Sequence, residues 1–257
     1  MSSHKFQVRI VAVGCLMLVW GMSMSACATV FTWKEEVLLH DGNKLIAERT
    51  VEREGRHELG QDPPIKEQTL NFKLPSTNES VTWKDNFTKD VGSANFLPML
   101  LEVRENTAYL VVHPMGKLSH MKWGSPNPPY VVFKYQNKSW SRVTLQDLPV
   151  ELTSPNLIFS SPDDEAKKVR QRIVPAEIIR RLYEGYARQE YRSIVRTPLD
   201  HWNPRSSSEM MIRTEDGGWI GIGWFRDQPS LEACLKKCSR EKVSPQDCPC
   251  HALFKEK

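Results

Sequence analysis

Four cysteines lie close together at the C-terminal end of the sequence, in the spacing C-x3-C-x9-C-x-C: Cys234, Cys238, Cys248 and Cys250. Thiols in such a cluster can pair as disulfides, bind a soft metal ion or take part in redox catalysis. The sequence contains no Cys-x-x-Cys pair, which argues against redox catalysis. The choice between disulfides and a metal site then depends on the local backbone and on the compartment.

The backbone around these cysteines is predicted to place them in two matching pairs. Residues 230–242 have the pattern of a short helix, with Ser230 at or near its N-cap and basic residues toward its end. Cys234 and Cys238 then lie on one face of the helix, about 6 Å apart along its axis. Pro249 favours an extended backbone between the other two cysteines, which places them about 6.6 Å apart on one side.

Matching separations favour two disulfides if the chain turns before Cys248 and runs back along the helix. The nested pairing joins Cys238 to Cys248 and Cys234 to Cys250, and the crossed pairing stays open because sequence alone does not determine connectivity. Each bond is expected to stabilise the tail by about 2–3 kcal/mol. The alternative is a zinc or copper site built from these thiols and His251.

The N-terminal residues predict export from the cytoplasm. Lys5 and Arg9 precede an apolar run over residues 10–20, and small residues follow, which is the order of a secretory signal peptide. The run has 11 residues, too few to cross about 30 Å of hydrocarbon as a helix. Residues 24–27, Met-Ser-Ala-Cys, resemble the lipobox of bacterial lipoproteins.

The lipobox resemblance implies that residues 1–26 are a cleaved signal peptide and that Cys27 carries palmitate or another acyl chain. Residues 27–32 would then form a lipidated tether. The residue after the cysteine is Ala28 and not aspartate, which implies a lipid anchor in the bacterial outer membrane, on its periplasmic side. An ordinary secreted protein, cleaved near Ala26 or Ala28, is the alternative.

Removal of the predicted signal peptide changes the length and the net charge of the chain. The mature chain keeps 231 of the 257 residues, and its net charge falls from +4 to +2 because Lys5 and Arg9 are lost. So small a charge gives no electrostatic reason to expect nucleic acid as a partner. An exported chain folds in an oxidising compartment, which favours disulfides over free thiols and a bound metal.

Two further groups of residues could carry chemistry. Residues 56–58, Arg-His-Glu, could form an acid–base pair with Asp62, although the neighbouring glycines and prolines indicate an exposed loop. His113, His120 and Met121 combine imidazole and thioether groups that can bind copper, and a loop with incidental histidines is the alternative. No known catalytic motif is present. The sequence therefore predicts no catalytic residue, no metal ligand and no cofactor.

Residues 33–160 are predicted to form a β-rich domain. Polar and apolar residues alternate between turn signals at residues 41–43, 105–106 and 136–138. The last of these hairpins resembles part of a propeller blade, but four blades need about 160–180 residues. This region has 128 residues, so an open sheet or a two-layer sandwich is predicted.

Later segments mix helices with a hairpin. Residues 161–227 are predicted to pack on the β-rich domain as helices that begin near Ser161 and Pro175, followed by two strands around residues 215–218. Residues 228–257 form the Cys-rich helix and tail. The fold class is therefore α+β, mainly antiparallel β, with two or three helices toward the C-terminus and a disulfide-held tail.

Three aromatic residues, Trp219, Trp224 and Phe225, follow the last turn signal. Aromatic side chains of this size either fill a core or line a ligand groove. The core is the expected place for all three.

Beyond the lipobox, parts of the mature chain resemble a group of uncharacterised proteobacterial lipoproteins to which no activity is assigned. The resemblance is carried by residues 33–40 (WKEEVLLH), 123–130 (WGSPNPPY) and 133–135 (FKY). It implies an envelope protein and no particular mechanism. We therefore expect a non-catalytic module, held at the membrane by Cys27, that binds an envelope protein or a glycan. A periplasmic hydrolase or a metal-handling protein is the alternative.

Overall fold

The structure is a computed structural model that describes residues 28–55, 57–58, 60–200 and 210–254. Residues 1–27, which include the predicted signal peptide and Cys27, lie outside the described residues. Within the described part of the chain, no helix is both long and apolar enough to cross a membrane.

Two antiparallel sheets of four strands each form the first part of the chain, and in both sheets the strand order follows the sequence. The first sheet contains β1 (Thr29–Leu38), β2 (Lys44–Arg53), β3 (Ile65–Lys73) and β4 (Ser80–Asp85). The second sheet contains β5 (Phe96–Arg104), β6 (Thr107–Pro114), β7 (Val131–Gln136) and β8 (Ser139–Val143). The predicted hairpins at the three turn signals are confirmed.

Helices follow mainly after the second sheet. One helix, α1 (Gly116–Lys122), separates β6 from β7. The helical layer contains α2 (Pro162–Lys168), α3 (Ala176–Glu184) and α4 (Gln189–Arg192). The C-terminal part contains β9 (Met211–Arg213), β10 (Trp219–Gly221), α5 (Gly223–Arg226), α6 (Leu231–Arg240) and α7 (Cys250–Leu253). These elements confirm the α+β class.

The two large sheets pack face to face. Leu70, Phe72 and Trp83 of the first sheet lie in one apolar cluster with Leu101 and Leu110 of the second sheet. Because side chains alternate between the faces of a strand, the neighbouring residues of β5–β8 point away from the first sheet. The described strands therefore form a two-layer sandwich and not a single open sheet.

The helical layer covers the second face of the β5–β8 sheet. Val111 and Val132 of that sheet share a buried cluster with Ala166 of α2 and with Ile179 and Tyr183 of α3. The Tyr183 hydroxyl donates to the carbonyl oxygen of Leu157 at 2.7 Å. The sandwich thus carries a third layer made of helices.

A buried ion pair joins the first sheet to the segment that leads into the helical layer. Arg49 Nη1 lies 3.0 Å from Glu35 Oε1, and neither side chain is more than 1% exposed. The same nitrogen donates to the Ile158 carbonyl oxygen at 2.6 Å, and the Ile158 amide donates to Glu35 Oε2 at 3.0 Å. Trp33 Nε1 also donates to Glu35, at 2.7 Å. These bonds offset part of the cost of burying both charges.

Three local predictions differ from the structure. The segment from His113 to Met121 is not simply a loop, since it includes the end of β6 and most of α1, a helix too short to show helical periodicity. Ser161 precedes α2 as predicted, but its φ is +43° and its side chain makes no capping hydrogen bond. Residues 29–32 belong to β1, because they pair with β2, and are not part of a tether.

Candidate functional site in the C-terminal module

Residues 210–254, here called the C-terminal module, have a small apolar core of their own. β9 and β10 pair as an antiparallel hairpin. The buried members of the core come from this hairpin, from the helices and from the loop after α6: Ile212, Phe225, Cys234, Cys238, Val243 and Cys250. The hairpin and α5 therefore pack with the cysteines rather than with the helical layer. A core of this size contributes little stability by itself, so cross-links matter here.

The helix α6 presents the cysteines as predicted. Ser230 is its N-cap, and the Ser230 side chain accepts a hydrogen bond from the Ala233 amide at 3.2 Å. Glu232 lies in the first turn, where a negative charge is favourable. Cys234 and Cys238 lie one turn apart and face the core of the module.

Two nested disulfides, Cys234–Cys250 and Cys238–Cys248, close the module, with Cα–Cα distances of 5.7 and 5.9 Å. The predicted pairing is confirmed, but its premise of an extended backbone at Pro249 is wrong. Pro249 is helical, with φ −80° and ψ −4°, because it forms the N-cap of α7. The nested order follows from the reversal of the chain, which brings residue 248 beside the end of α6.

The two disulfides contact each other and border a groove. Cys238 Sγ of one disulfide lies 3.5 Å from Cys250 Sγ of the other. The groove has a volume of about 410 Å³, and its wall includes Cys248, which is partly exposed. It is further lined by Leu235, Val243, Pro245, Lys242 and His251.

Metal binding was the alternative for these thiols. Among the described residues, one set of three His, Cys, Asp or Glu side chains has ligand atoms close enough for a shared ion, namely Cys238, Cys248 and Cys250. All three sulfurs are bonded in disulfides, and metal ligation by cysteine requires thiolates. The oxidised module therefore does not fit a metal at this point.

Trp224 is not in the core, contrary to our prediction. Its side chain is 64% exposed, whereas the next residue, Phe225, is fully buried. The Lys237 ammonium lies 4.6 Å from the centroid of the Trp224 ring and 2.9 Å from a Glu241 oxygen. The cation holds the ring in place from one side. Trp224 thus presents a supported aromatic surface to solvent.

The module is attached to the sandwich through Asp90, in the loop between β4 and β5. Arg213 Nη2 and Lys122 Nζ lie 2.6 and 3.0 Å from the Asp90 carboxylate, and Trp219 Nε1 donates to its carbonyl oxygen at 2.7 Å. Burial by itself raises the pKa of Asp90, but the hydrogen bond from Lys122 and the nearby cations lower it overall. Asp90 is therefore a charged link between the two parts.

The residues of the predicted acid–base pair do not form hydrogen bonds with each other in the described part of the chain. The His57 ring donates through Nδ1 to the Gly55 carbonyl oxygen at 3.1 Å, and Glu58 accepts from Gln61 at 3.4 Å. No hydrogen bond joins His57 to Asp62 within the described residues, and Arg56 lies outside them. Catalysis by this loop gains no geometric support.

His113 and His120 lie near each other but serve the packing. His113 Nδ1 donates to the Pro114 carbonyl oxygen at 2.8 Å, and His120 Nε2 donates to the Pro126 carbonyl oxygen at 3.0 Å. Burial lowers the pKa of His113 to about 4 and also lowers the pKa of His120. Both rings are therefore neutral at pH 7, and their N–H groups are bonded to the backbone.

A second cavity, of about 740 Å³, lies beside β7 and β8 and is lined by Arg142 and Arg196. The Arg196 guanidinium donates to the carbonyl oxygens of Leu145, Leu148 and Pro149 at 2.6–3.1 Å. Arg196 therefore holds the loop after β8 in place. The sequence did not predict this cavity, because residues 126–147 and 196–198 come together only in the folded chain. It did not predict the groove either, because the groove forms only when the chain reverses between residues 235 and 251.

No protein-family model matches this chain, and no curated protein or solved structure is significantly similar to it. Functional conclusions therefore depend on the residues and the geometry described above.

Proposed function

We propose that this chain is an envelope lipoprotein, anchored through acylated Cys27, that acts as a non-catalytic binding module at the periplasmic face of the outer membrane. The observation that carries the proposal is the pair of disulfides in a module with a small core. Such bonds form and persist in oxidising compartments. The export signal at the N-terminus is consistent with that environment.

The start of β1 has a consequence for the anchored protein. The strand begins at Thr29, two residues after Cys27, so acylation would hold the first sheet close to the bilayer. Val30 is 59% exposed, and an exposed apolar side chain is favourable next to a bilayer. The C-terminal module would then be free to meet partners in the periplasm.

Trp224 is the residue best suited to bind a protein or glycan partner. Exposed tryptophan is enriched at binding surfaces because it buries a large apolar area and loses little side-chain entropy. The outer face of the first sheet is less suited, since its charges are paired with each other, as in Lys34–Glu48 and Lys44–Glu36.

The anchor is tested by metabolic labelling with a fatty-acid analogue and by membrane fractionation of wild type and Cys27→Ala. We expect label and membrane association in the wild type, and neither in the variant. Labelled Cys27→Ala protein, or unlabelled wild type, would refute acylation at this residue.

The binding surface is tested by purifying the protein from cross-linked envelopes. We expect Trp224→Ala to lose the partners that wild type retains, whereas Val150→Ala keeps them. Val150 is a suitable control because it is 74% exposed and lies in the loop after β8. Equal recovery of partners with both variants would exclude Trp224 from the interface.

A further inference from the structure

Two sulfurs that belong to different disulfides are in contact in the C-terminal module. Cys238 is bonded to Cys248 and Cys250 is bonded to Cys234, yet Cys238 Sγ and Cys250 Sγ are 3.5 Å apart. We propose that this pair of disulfides is a thiol–disulfide exchange site. An external dithiol enters at Cys248, and the electrons pass to the buried Cys234–Cys250 bond.

Exposure determines where the dithiol enters. Cys238 and Cys248 both line the groove, but Cys238 is only 4% exposed, whereas Cys248 is partly exposed. Cys234 and Cys250 are fully buried. Exchange requires that a thiolate reach a disulfide sulfur, so Cys248 is the sulfur open to attack. Lys242 in the lining of the groove provides a positive charge near the incoming thiolate, and the Glu215 carboxylate in the same lining acts against it.

The first step is attack of the external thiolate on Cys248 Sγ. A mixed disulfide forms, the Cys238–Cys248 bond breaks, and the electron pair leaves on Cys238 Sγ. In the second step the Cys238 thiolate attacks Cys250 Sγ, which forms Cys238–Cys250 and releases Cys234 as a thiolate that takes up a proton. The second thiol of the external molecule then displaces Cys248.

The overall reaction balances as a two-electron exchange. One dithiol is oxidised to a disulfide, and two protein disulfides become one disulfide, Cys238–Cys250, with thiols at Cys234 and Cys248. The substrate class is therefore a dithiol, either a protein or a small molecule. This reactivity is independent of the lipid anchor and of any partner at Trp224.

The position of Cys238 in its helix favours the second step. Cys238 lies in the last turn of α6, where the partial negative charge of the helix end disfavours a thiolate. A destabilised thiolate leaves more slowly in the first step but is a strong nucleophile in the second. Transfer to Cys234, one turn earlier, moves the negative charge away from that end of the helix.

Disulfide mapping of the full chain tests the proposal. We would replace Cys15 and Cys27 by serine, oxidise the protein, add less than one equivalent of dithiothreitol, quench with acid, alkylate and analyse peptides by mass spectrometry. The expected product contains Cys238–Cys250 with both Cys234 and Cys248 alkylated. Alkylated Cys238 and Cys248, together with an intact Cys234–Cys250 bond, would overturn the proposal.

Two matched variants remove the same disulfide and differ in the thiol they leave. Cys248→Ser leaves the Cys238 thiol 3.5 Å from Cys250, and on the order of a tenth or more of its molecules should rearrange to Cys238–Cys250. Cys238→Ser leaves only the exposed thiol and should keep Cys234–Cys250. Equal linkages in both variants would contradict a relay through Cys238. Circular dichroism confirms folding, and wild-type mapping does not depend on either variant.

Discussion

Arg49 is among the largest fully buried side chains of the described chain, and its charge is balanced by Glu35 on the neighbouring strand. Such a pair adds little to stability compared with an apolar pair of the same volume, but loss of one partner leaves the other charge buried. Other buried polar groups also depend on their partners. Asp85, for example, accepts hydrogen bonds from the amides of Asn95 and Phe96 at 2.8 Å.

We expect Arg49→Ala to lower the free energy of unfolding by about 3–5 kcal/mol, because Glu35 then remains buried without its cation. Urea denaturation followed by tryptophan fluorescence measures this change. Lys34→Ala is the control: it removes an exposed ion pair with Glu48 and should change stability by at most about 1 kcal/mol. A smaller loss for Arg49→Ala than for Lys34→Ala would contradict the prediction.

A second prediction at this scale concerns pH and His113. Burial lowers the pKa of His113 from its ordinary value of 6.5 to about 4 in the folded protein. Protons therefore bind the unfolded chain more readily, so the contribution to stability is complete above about pH 6.5 and is lost as the pH falls toward 4. Between pH 7 and pH 5 this loss amounts to about 2 kcal/mol.

Denaturation of wild type and His113→Gln at both pH values isolates this effect. The buried carboxyls Asp85 and Glu102 have raised pKa values, which act in the opposite direction but equally in both proteins. The wild type should lose about 2 kcal/mol more than the variant. An identical pH dependence would show that His113 does not contribute.

At the scale of elements, α6 is stabilised by both a local hydrogen bond and covalent cross-links. It has 10 residues, a length at which an isolated helix is marginal in water. The Ser230 cap satisfies one backbone donor, and two disulfides hold its inner face. The strands β1–β8 need no such help, because each lies in a sheet of four strands.

Loss of the cap should be visible in α6 alone. We expect Ser230→Ala to destabilise the helix by about 1 kcal/mol, because the Ala233 amide loses its acceptor. Hydrogen exchange of the amides in the first turn should then be faster by about fivefold, which is the same free energy expressed as a rate. Ser239→Ala, the same change inside the helix, should not accelerate exchange there. Unchanged exchange in Ser230→Ala would exclude the cap as a stabilising contact.

On the scale of the whole molecule, two units with separate cores are joined at a small charged contact. Asp90 of the sandwich binds Arg213 of the module and Lys122 of α1. The contact is only partly shielded, since the Arg213 side chain is 45% exposed. A change in one core is therefore expected to leave the other core intact.

Asp90→Asn should loosen this attachment and leave both cores intact. Removal of the carboxylate charge costs about 1–3 kcal/mol at the contact, so hydrogen exchange of residues 211–221 should rise by about fivefold or more. The disulfide-held α6 should keep its protection. Glu48→Gln is the control, because the Glu48 side chain is 47% exposed, pairs with Lys34 and lies in β2, outside the measured segment. Equal exchange in both variants would argue against the link.

The amino-acid sequence determined the hairpins and the α+β class, and it limited the four cysteines to a nested or a crossed pairing, because those features depend on contacts between neighbours in the chain; the structure decided for the nested pairing. Turn residues select hairpins, and alternation selects the buried face. The spacing of Cys234 and Cys238 on one helical turn likewise limited their possible partners.

Tertiary structure alone decided the exposure of Trp224, the link at Asp90 and the contact between Cys238 and Cys250. Residue type predicts burial only on average, and whether an aromatic ring is covered depends on which segments pack around it. The sulfur contact requires α6 and α7 to meet in one orientation, which no local pattern specifies. The features that carry the proposed exchange chemistry are therefore products of packing, whereas the residues that take part in it were evident from their spacing.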